Sequence, residues 1–224
     1  MKTNEELRTD VMDEIKWDPQ LKDVATKIGV AVSDGVVSLS GIVNSYTKKL
    51  AAERAAQRVA GVMVVASDIE IKLVPVGKLT DTELAESIKN VLQWNSAVNH
   101  DQIEVKVDNG WVYLDGKAEW EFERQSAQRS VEGLIGVIGV TNNITIKPKA
   151  INVTEIKNNI TNAFHRNASV DSSAIRIEAT GNKVTLYGKV KSWAEKKEAE
   201  NVAWFAPGVL EVDNQIDIDL SVYA

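Results

Sequence analysis

Apolar residues follow two kinds of spacing along the chain, one typical of helices and one typical of strands. The same order of helical and strand spacing occurs three times. In each copy, a stretch with apolar residues three or four positions apart is followed by two stretches of strict apolar–polar alternation. A second stretch of helical period and a last alternating segment complete the copy. Apolar residues three or four positions apart predict an amphipathic helix, and strict alternation predicts a half-buried strand. Each copy is therefore predicted to have the order α-β-β-α-β.

Two glycines in every copy fix the register between the copies. The first glycine of each copy follows the second alternating stretch. The second glycine precedes the last alternating stretch and always lies twenty residues after the first. The six glycines are Gly41, Gly61, Gly116, Gly136, Gly188 and Gly208. Equivalent glycines lie 75 and then 72 residues apart, which predicts domains at residues 1–76, 77–149 and 150–224. We expect the first glycine of each pair to end a strand and the second to form a left-handed helix cap.

The first helix of each copy has a recognisable start. Thr3-x-x-Glu6, Thr80-x-x-Glu83 and Asn152-x-x-Glu155 match the capping box, in which each side chain bonds the other residue's backbone N–H. In copy one the helix is expected to stop near Trp17-Asp18-Pro19, because a residue before proline avoids helical geometry. The first helices therefore begin in the same way in all three copies.

The alternating stretches predict a hairpin and then a crossover. Strands are expected at residues 28–32, 103–107 and 175–179, each followed by a tight turn at Asp34-Gly35, Asn109-Gly110 or Gly181-Asn182. A helix between two strands makes a right-handed crossover, so the last strand should run parallel to the second. The fold class is therefore α+β, with a three-stranded mixed sheet packed on two helices in each copy. The links at residues 73–78 and 148–150 are short enough to keep neighbouring copies in or near contact.

Charge and composition exclude several classes of protein. The net charge is −6, and no copy is net basic, so the basic face that DNA or RNA binding requires is not expected. The chain has no Cys, which rules out disulfides and cysteine metal sites. No apolar run could span a bilayer, and the charged first ten residues lack the apolar core of a signal peptide. We expect a cytoplasmic protein, or a periplasmic one if a signal peptide was removed before the numbering starts.

The repeated motif is similar to a known family. The strand Gly-x-Val-x-Leu-x-Gly, the alanine-rich helix, the Gly-Val after it and the closing Ile-x-Ile resemble the BON domain (bacterial OsmY and nodulation domain). The resemblance covers residues 3–74, 80–148 and 152–220, and copy three departs from it with Asn182 in the place of Gly35 and Gly110. It implies non-catalytic modules that bind phospholipid surfaces or other ligands. Such modules recur in osmotic-stress proteins, secretins, mechanosensitive channels and a potassium-binding protein, and many are periplasmic.

Catalysis and metal binding have little support in the sequence. The two histidines, His100 and His165, occupy unmatched positions, and no Ser-His-Asp or paired-carboxylate spacing recurs. Two isolated histidines without cysteine do not form a ligand set for a divalent metal. We therefore predict that the protein is not an enzyme and needs no cofactor.

Tryptophans are the first candidates for contact with a partner. Trp17 and Trp94 are equivalent, and Arg166 takes their place in copy three. Each ring could anchor at a membrane or partner surface, or it could cap the bottom of the core, and the second interpretation is favoured. The other four tryptophans vary between copies and are interpreted as contacts between them: Trp111, Trp120, Trp193 and Trp204.

Basic residues of the second helix in copy one are the other candidates. Lys48, Lys49, Arg54 and Arg58 could bind anionic head groups, at about 1 kcal/mol per residue, although a solvated helix face is the default interpretation. The first hypothesis is therefore a stress-associated binding or scaffolding protein that contacts phospholipid surfaces. The alternatives are a self-assembling or partner-binding protein and a potassium-binding sensor.

Overall fold

The computed structural model describes residues 2–73, 79–147 and 153–219. Most of both predicted links, and Asn152 of the third capping box, lie outside the described residues. Within these ranges each copy has the order α-β-β-α-β and forms a separate three-stranded sheet. The α+β class and the three repeated units are confirmed.

The helices and strands recur with nearly constant lengths. Copy one has α1 (Asn4–Trp17), β1 (Ile28–Ser33), β2 (Val36–Val43), α2 (Tyr46–Arg58) and β3 (Val64–Ile71). Copy two has α3 (Asp81–Trp94), β4 (Ile103–Asp108), β5 (Trp111–Ala118), α4 (Glu121–Glu132) and β6 (Gly139–Ile146). Copy three has α5 (Val153–Arg166), β7 (Ile175–Thr180), β8 (Lys183–Val190), α6 (Trp193–Trp204) and β9 (Glu211–Ile218). Short 3₁₀ turns precede β1 and β4.

The first helices begin and end where the sequence indicates. Thr3 accepts a hydrogen bond from the Glu6 N–H and Thr80 accepts one from the Glu83 N–H, and each glutamate side chain accepts from the threonine N–H. The α1 helix ends at Trp17, before Asp18 and its proline. The two capping boxes within the described residues are confirmed.

Each sheet has its second strand in the centre, antiparallel to the first strand and parallel to the third. The expectation that the second strand ends at its glycine is wrong. In copy one, Ile42 and Val43 continue β2 beyond Gly41 and pair with Glu70 and Ile71. The antiparallel partner β1 begins opposite Gly41, but β3 runs further and supplies hydrogen bonds to the longer strand.

The first glycine of each pair is required by a close backbone contact. Gly41 has φ +131°, and a Cβ atom there would lie 2.1 Å from the Lys27 carbonyl oxygen. The corresponding distances are 2.1 Å for Gly116 and 2.0 Å for Gly188. Real Cβ atoms do not approach an oxygen this closely, so every other residue would displace the start of the first strand.

The second glycine of each pair has a role other than the predicted helix cap. Gly61, Gly136 and Gly208 all have positive φ, between +89° and +102°. The helices have already ended at Arg58, Glu132 and Trp204, three or four residues earlier. These glycines therefore turn the chain into the last strand.

Copy three replaces the hairpin glycine without losing the turn. A Cβ atom on Gly35 or Gly110 would lie 3.3 or 2.6 Å from the carbonyl oxygen of the glycine that precedes the last strand. In copy three, the Asn182 side-chain amide donates a hydrogen bond to the equivalent carbonyl, that of Gly208. A polar contact thus takes the place of the close backbone approach.

Each copy has its own hydrophobic core between the two helices and one face of the sheet. The predicted inward strand residues, such as Leu39, Leu114 and Leu186, are fully buried. Alanines of α2 lie at the helix–sheet contact, where Ala52, Ala55 and Ala56 have no exposed surface. Their small side chains allow the helix to lie close to the sheet.

Candidate functional site

Trp17 and Trp94 are the most exposed large apolar residues that the structure describes. They end α1 and α3, and their side chains are 81% and 87% exposed. The interpretation that these rings cap the core is wrong. The bottom of each core is filled by the residue four positions later, which the helical period did not reveal: Leu21, Val98 and Val170.

The four basic residues of α2 do not form one patch. Lys48 Nζ lies 2.6 Å from Asp23, and Lys49 Nζ donates to the Ile69 carbonyl oxygen at 3.1 Å. The Lys48 bond holds the pKa of the Asp23 carboxyl below its ordinary value. Arg54 lies 3.7 Å from Glu132 of copy two. Three of these side chains therefore have partners in different parts of the molecule.

Arg58, the fourth basic residue, stabilises the fold of copy one. It donates to Glu14 at 2.8 Å and to Asp18 at 3.0 Å, and the bond to Glu14 is the main cause that raises the arginine pKa. Asp18 is only 6% exposed, and its other oxygen caps the turn after α1 by accepting from the Gln20 N–H. A buried carboxylate requires such partners, so Arg58 is part of the packing between α1 and α2.

The second helix of copy one meets copy two through its first residue. The Tyr46 ring packs against the core of copy two. Burial, followed by the charges of Glu132 and Glu53, raises the tyrosine pKa, and a hydrogen bond from the Val140 backbone acts in the opposite direction. Glu132 also pairs with Arg54, so the end of α4 and the start of β6 receive copy one.

Copy two meets copy three through the same part of its second helix. The first residue of α4, Glu121, is 7% exposed, and its carboxylate lies 2.7 Å from Arg124 Nε. The Arg124 guanidinium in turn lies 5.1 Å from the ring centre of Trp204, at the end of α6. Trp120 lines the adjoining crevice together with Trp204. An open cleft of about 360 Å³ continues along α4 and α6.

Copy three meets copy one, which brings the first and last copies together. The first residue of α6, Trp193, donates its indole N–H to the Met63 carbonyl oxygen at 3.0 Å. The interpretation of the varying tryptophans as contacts between copies is thus confirmed for Trp193 and Trp204, and Trp120 lines the crevice beside Trp204. It is wrong for Trp111, whose indole N–H bonds Thr141 in its own sheet and whose ring covers Gly139.

Comparison with protein-family models matches three stretches of the sequence to one family. The model described as "BON domain" matches residues 3–72, 80–148 and 152–219, which together make up most of the chain. The chain belongs to the BON domain family. The similarity inferred from the glycine register is confirmed in all three copies.

One curated protein and two solved structures are among the proteins to which this chain is similar. Osmotically-inducible protein Y of Escherichia coli (strain K12) is 26% identical over 145 residues, which cover 62% of this chain and 72% of that protein. Two structures of CdsD, a structural protein of the Type III secretion system of Chlamydia trachomatis, are 12% identical. They cover 94% and 97% of this chain, and 91% and 98% of theirs, with TM-scores of 0.27 and 0.26. These scores are too low to compare whole-chain arrangements.

The two histidines, the remaining candidates for catalysis or metal binding, do not lie in one site. His165 Nδ1 lies 3.1 Å from the Ser172 hydroxyl, and His100 lies 3.3 Å from Asp101, in different domains. Among residues 2–73, 79–147 and 153–219, no cluster of three His, Cys, Asp or Glu could hold a metal ion. In the same ranges, no helix combines the length and apolar character needed to cross a membrane.

Proposed function

We propose that this protein is a non-catalytic, osmotic-stress-associated binding protein whose BON domains contact phospholipid surfaces. The observation that carries the proposal is the exposure of Trp17 and Trp94, 81% and 87%, at equivalent ends of α1 and α3. The likeness to osmotically-inducible protein Y supports the association with osmotic stress. The family resemblance supports a role without catalysis.

An indole ring suits the boundary between head groups and acyl chains, because its body is apolar and its N–H is polar. Removing roughly 100 Å² of each ring from water, at about 25 cal/mol per Å², gives about 2.5 kcal/mol per ring. Two rings therefore supply enough free energy for reversible binding without a basic patch.

The basic residues of α2 have a smaller place in this proposal than the tryptophans. Lys48 and Arg58 are paired with carboxylates of their own domain, and Lys49 with a backbone carbonyl. Each would have to exchange its partner for a lipid phosphate, which reduces the net gain. With a chain charge of −6, we expect binding to zwitterionic vesicles to be at least as strong as binding to anionic ones at low salt.

Flotation with liposomes tests the proposal. The wild-type protein would be compared with Trp17→Ser, Trp94→Ser and the double variant, on phosphatidylcholine vesicles and on vesicles that also contain phosphatidylglycerol, at two salt concentrations. We expect each single change to weaken binding and the double change to abolish it.

Ile135→Ser is the matched control. Ile135 is also a strongly exposed apolar residue, at 79%, but it lies beside Gly136 at the other end of α3 from Trp94. The Ile135→Ser variant should bind vesicles like the wild type. If the wild-type protein fails to float under all conditions, the lipid proposal is wrong, and an apolar protein partner or potassium becomes the next ligand to test.

A further inference from the structure

The three contacts between BON domains use equivalent positions. The residues that reach outward, Tyr46, Arg124 and Trp193, each lie in the first turn of a second helix. The surfaces that receive them lie between the end of the next domain's second helix and the start of its last strand: Glu132 and Val140, Trp204, and Met63. Domain 1 contacts domain 2, domain 2 contacts domain 3, and domain 3 contacts domain 1.

Head-to-tail contacts of one kind that return to their starting point generate a closed ring. Here the three contacts join equivalent elements in one cyclic order, although the chemistry of each contact differs: a tyrosine ring, an arginine over an indole, and an indole N–H to a backbone carbonyl. A ring built from equivalent domains in cyclic order places equivalent points on one side of the ring. Trp17, Trp94 and Arg166 are equivalent points, because they end the three first helices.

We infer that the closed ring presents Trp17, Trp94 and Arg166 to one flat phospholipid surface at the same time. This inference rests on the proposed function and adds to it the third contact and the need for ring closure. The two rings enter the head-group boundary, and the guanidinium binds a lipid phosphate.

The chemistry of Arg166 fits the third contact. Its side chain is exposed, and no ion pair involves it within the described residues 2–73, 79–147 and 153–219. A guanidinium has a planar fork of donors that binds phosphate oxygens in pairs. Lysine provides the charge without this geometry, so Arg166→Lys should recover only part of the binding that Arg166→Gln loses.

Ring closure makes the three contacts act together. Once one domain binds, the closed ring keeps the other two domains near the surface, so their contacts form at high effective concentration. Opening the contact between Trp193 and Met63 releases domain 3 from domain 1 and loosens the relation of Arg166 to Trp17. We expect the Kd for vesicles to rise about tenfold, although every lipid contact is intact.

The test combines small-angle X-ray scattering with titration of phosphatidylcholine and mixed phosphatidylglycerol vesicles. Trp193→Ala opens the ring, and Trp193→Phe removes only the indole hydrogen bond while keeping most of the side-chain volume. Trp111→Ala is the matched control, because it also deletes an indole but leaves the domain contacts untouched. We expect Trp193→Ala to enlarge the particle and weaken binding, Trp193→Phe to do so less, and Trp111→Ala to do neither.

The outcomes separate this inference from the proposed function. Vesicle binding by the wild type, with Trp193→Ala enlarged yet binding like Trp111→Ala, would overturn the three-point contact alone. An unchanged particle size for Trp193→Ala would overturn ring closure through Trp193. Failure of the wild type to bind vesicles would instead refute the lipid function itself, together with the three-point contact that rests on it.

Discussion

The first glycine of each pair and the contact between domains both occur three times, but they repeat in different ways. At Gly41, Gly116 and Gly188 the residue and the clash that it avoids are the same, with a carbonyl oxygen about 2 Å from the missing Cβ. At the domain contacts the first turn of the second helix is used each time, and the residue changes from Tyr46 to Arg124 to Trp193. A backbone constraint tolerates one residue type, whereas a contact between domains needs only complementary surfaces.

This difference also explains how one motif can make a ring with a fixed order of domains. If all three contacts were identical, each second helix could dock on either neighbour. Distinct pairs, such as Tyr46 with domain 2 and Trp193 with domain 1, make each helix specific for one partner.

The largest effect is expected for the constant feature. Gly116→Val places a side chain 2.1 Å from the Gln102 carbonyl oxygen at φ +135°. We expect the free energy of unfolding of domain 2 to fall by about 4 kcal/mol and its melting temperature to fall by about 15 to 30 °C, as measured by calorimetry. Gly133→Ala is the control, because no atom lies within 4 Å of the added Cβ and its φ is −86°. This change should leave stability unchanged or raise it slightly, and an unchanged transition for Gly116→Val would refute the backbone argument.

A smaller loss of stability is expected when basic residues of α2 are replaced, and its size should depend on whether the residue pairs within its own domain or with another domain. Arg58→Ser leaves Asp18, 6% exposed, without its arginine, and should destabilise domain 1 by about 1 to 3 kcal/mol in urea unfolding. Arg54→Ser removes an exposed pair with Glu132 at 3.7 Å and should cost less than about 1 kcal/mol. Equal losses would mean that Arg58 contributes only a surface ion pair. The same result bears on lipid assays, because replacing all four α2 basic residues would not leave folding intact.

Most of the fold could be predicted from the sequence because its determinants are local and repeated. Alternation and the constant twenty-residue glycine spacing identify strands, turns and register in every copy. The extension of β2 beyond Gly41 could not be predicted, because it depends on the parallel partner β3, which the period of β2 does not reveal.

The candidate site was harder to predict because its partners are distant in sequence. Lys48 pairs with Asp23, 25 residues away, and Arg58 with Asp18, 40 residues away, and nothing in the α2 sequence indicates either. The exposure of Trp17 depends on Leu21, which completes the core from outside the helical period. The equivalence of Trp17 and Trp94 was visible from the repeat, but the closing contact of Trp193 with Met63 required the structure.

The smallest expected effect is a pH-dependent weakening of the contact between domains 1 and 2. The pKa of Tyr46 is raised above its ordinary 10.0, mainly by burial against domain 2 and then by Glu132 and Glu53. A raised pKa means that the folded contact favours the neutral phenol, so its contribution is complete below pH 10.0 and declines as pH rises through the folded-state pKa. Loosening of the contact between domains 1 and 2 should therefore appear at alkaline pH as increased hydrogen exchange along the start of α2. Tyr46→Phe removes the ionisable group and should abolish this part of the pH dependence, at a cost of about 1 kcal/mol for the lost hydrogen bond. If the exchange profiles of the two proteins changed identically with pH, Tyr46 would not report on the contact, and its burial would have to arise within domain 1.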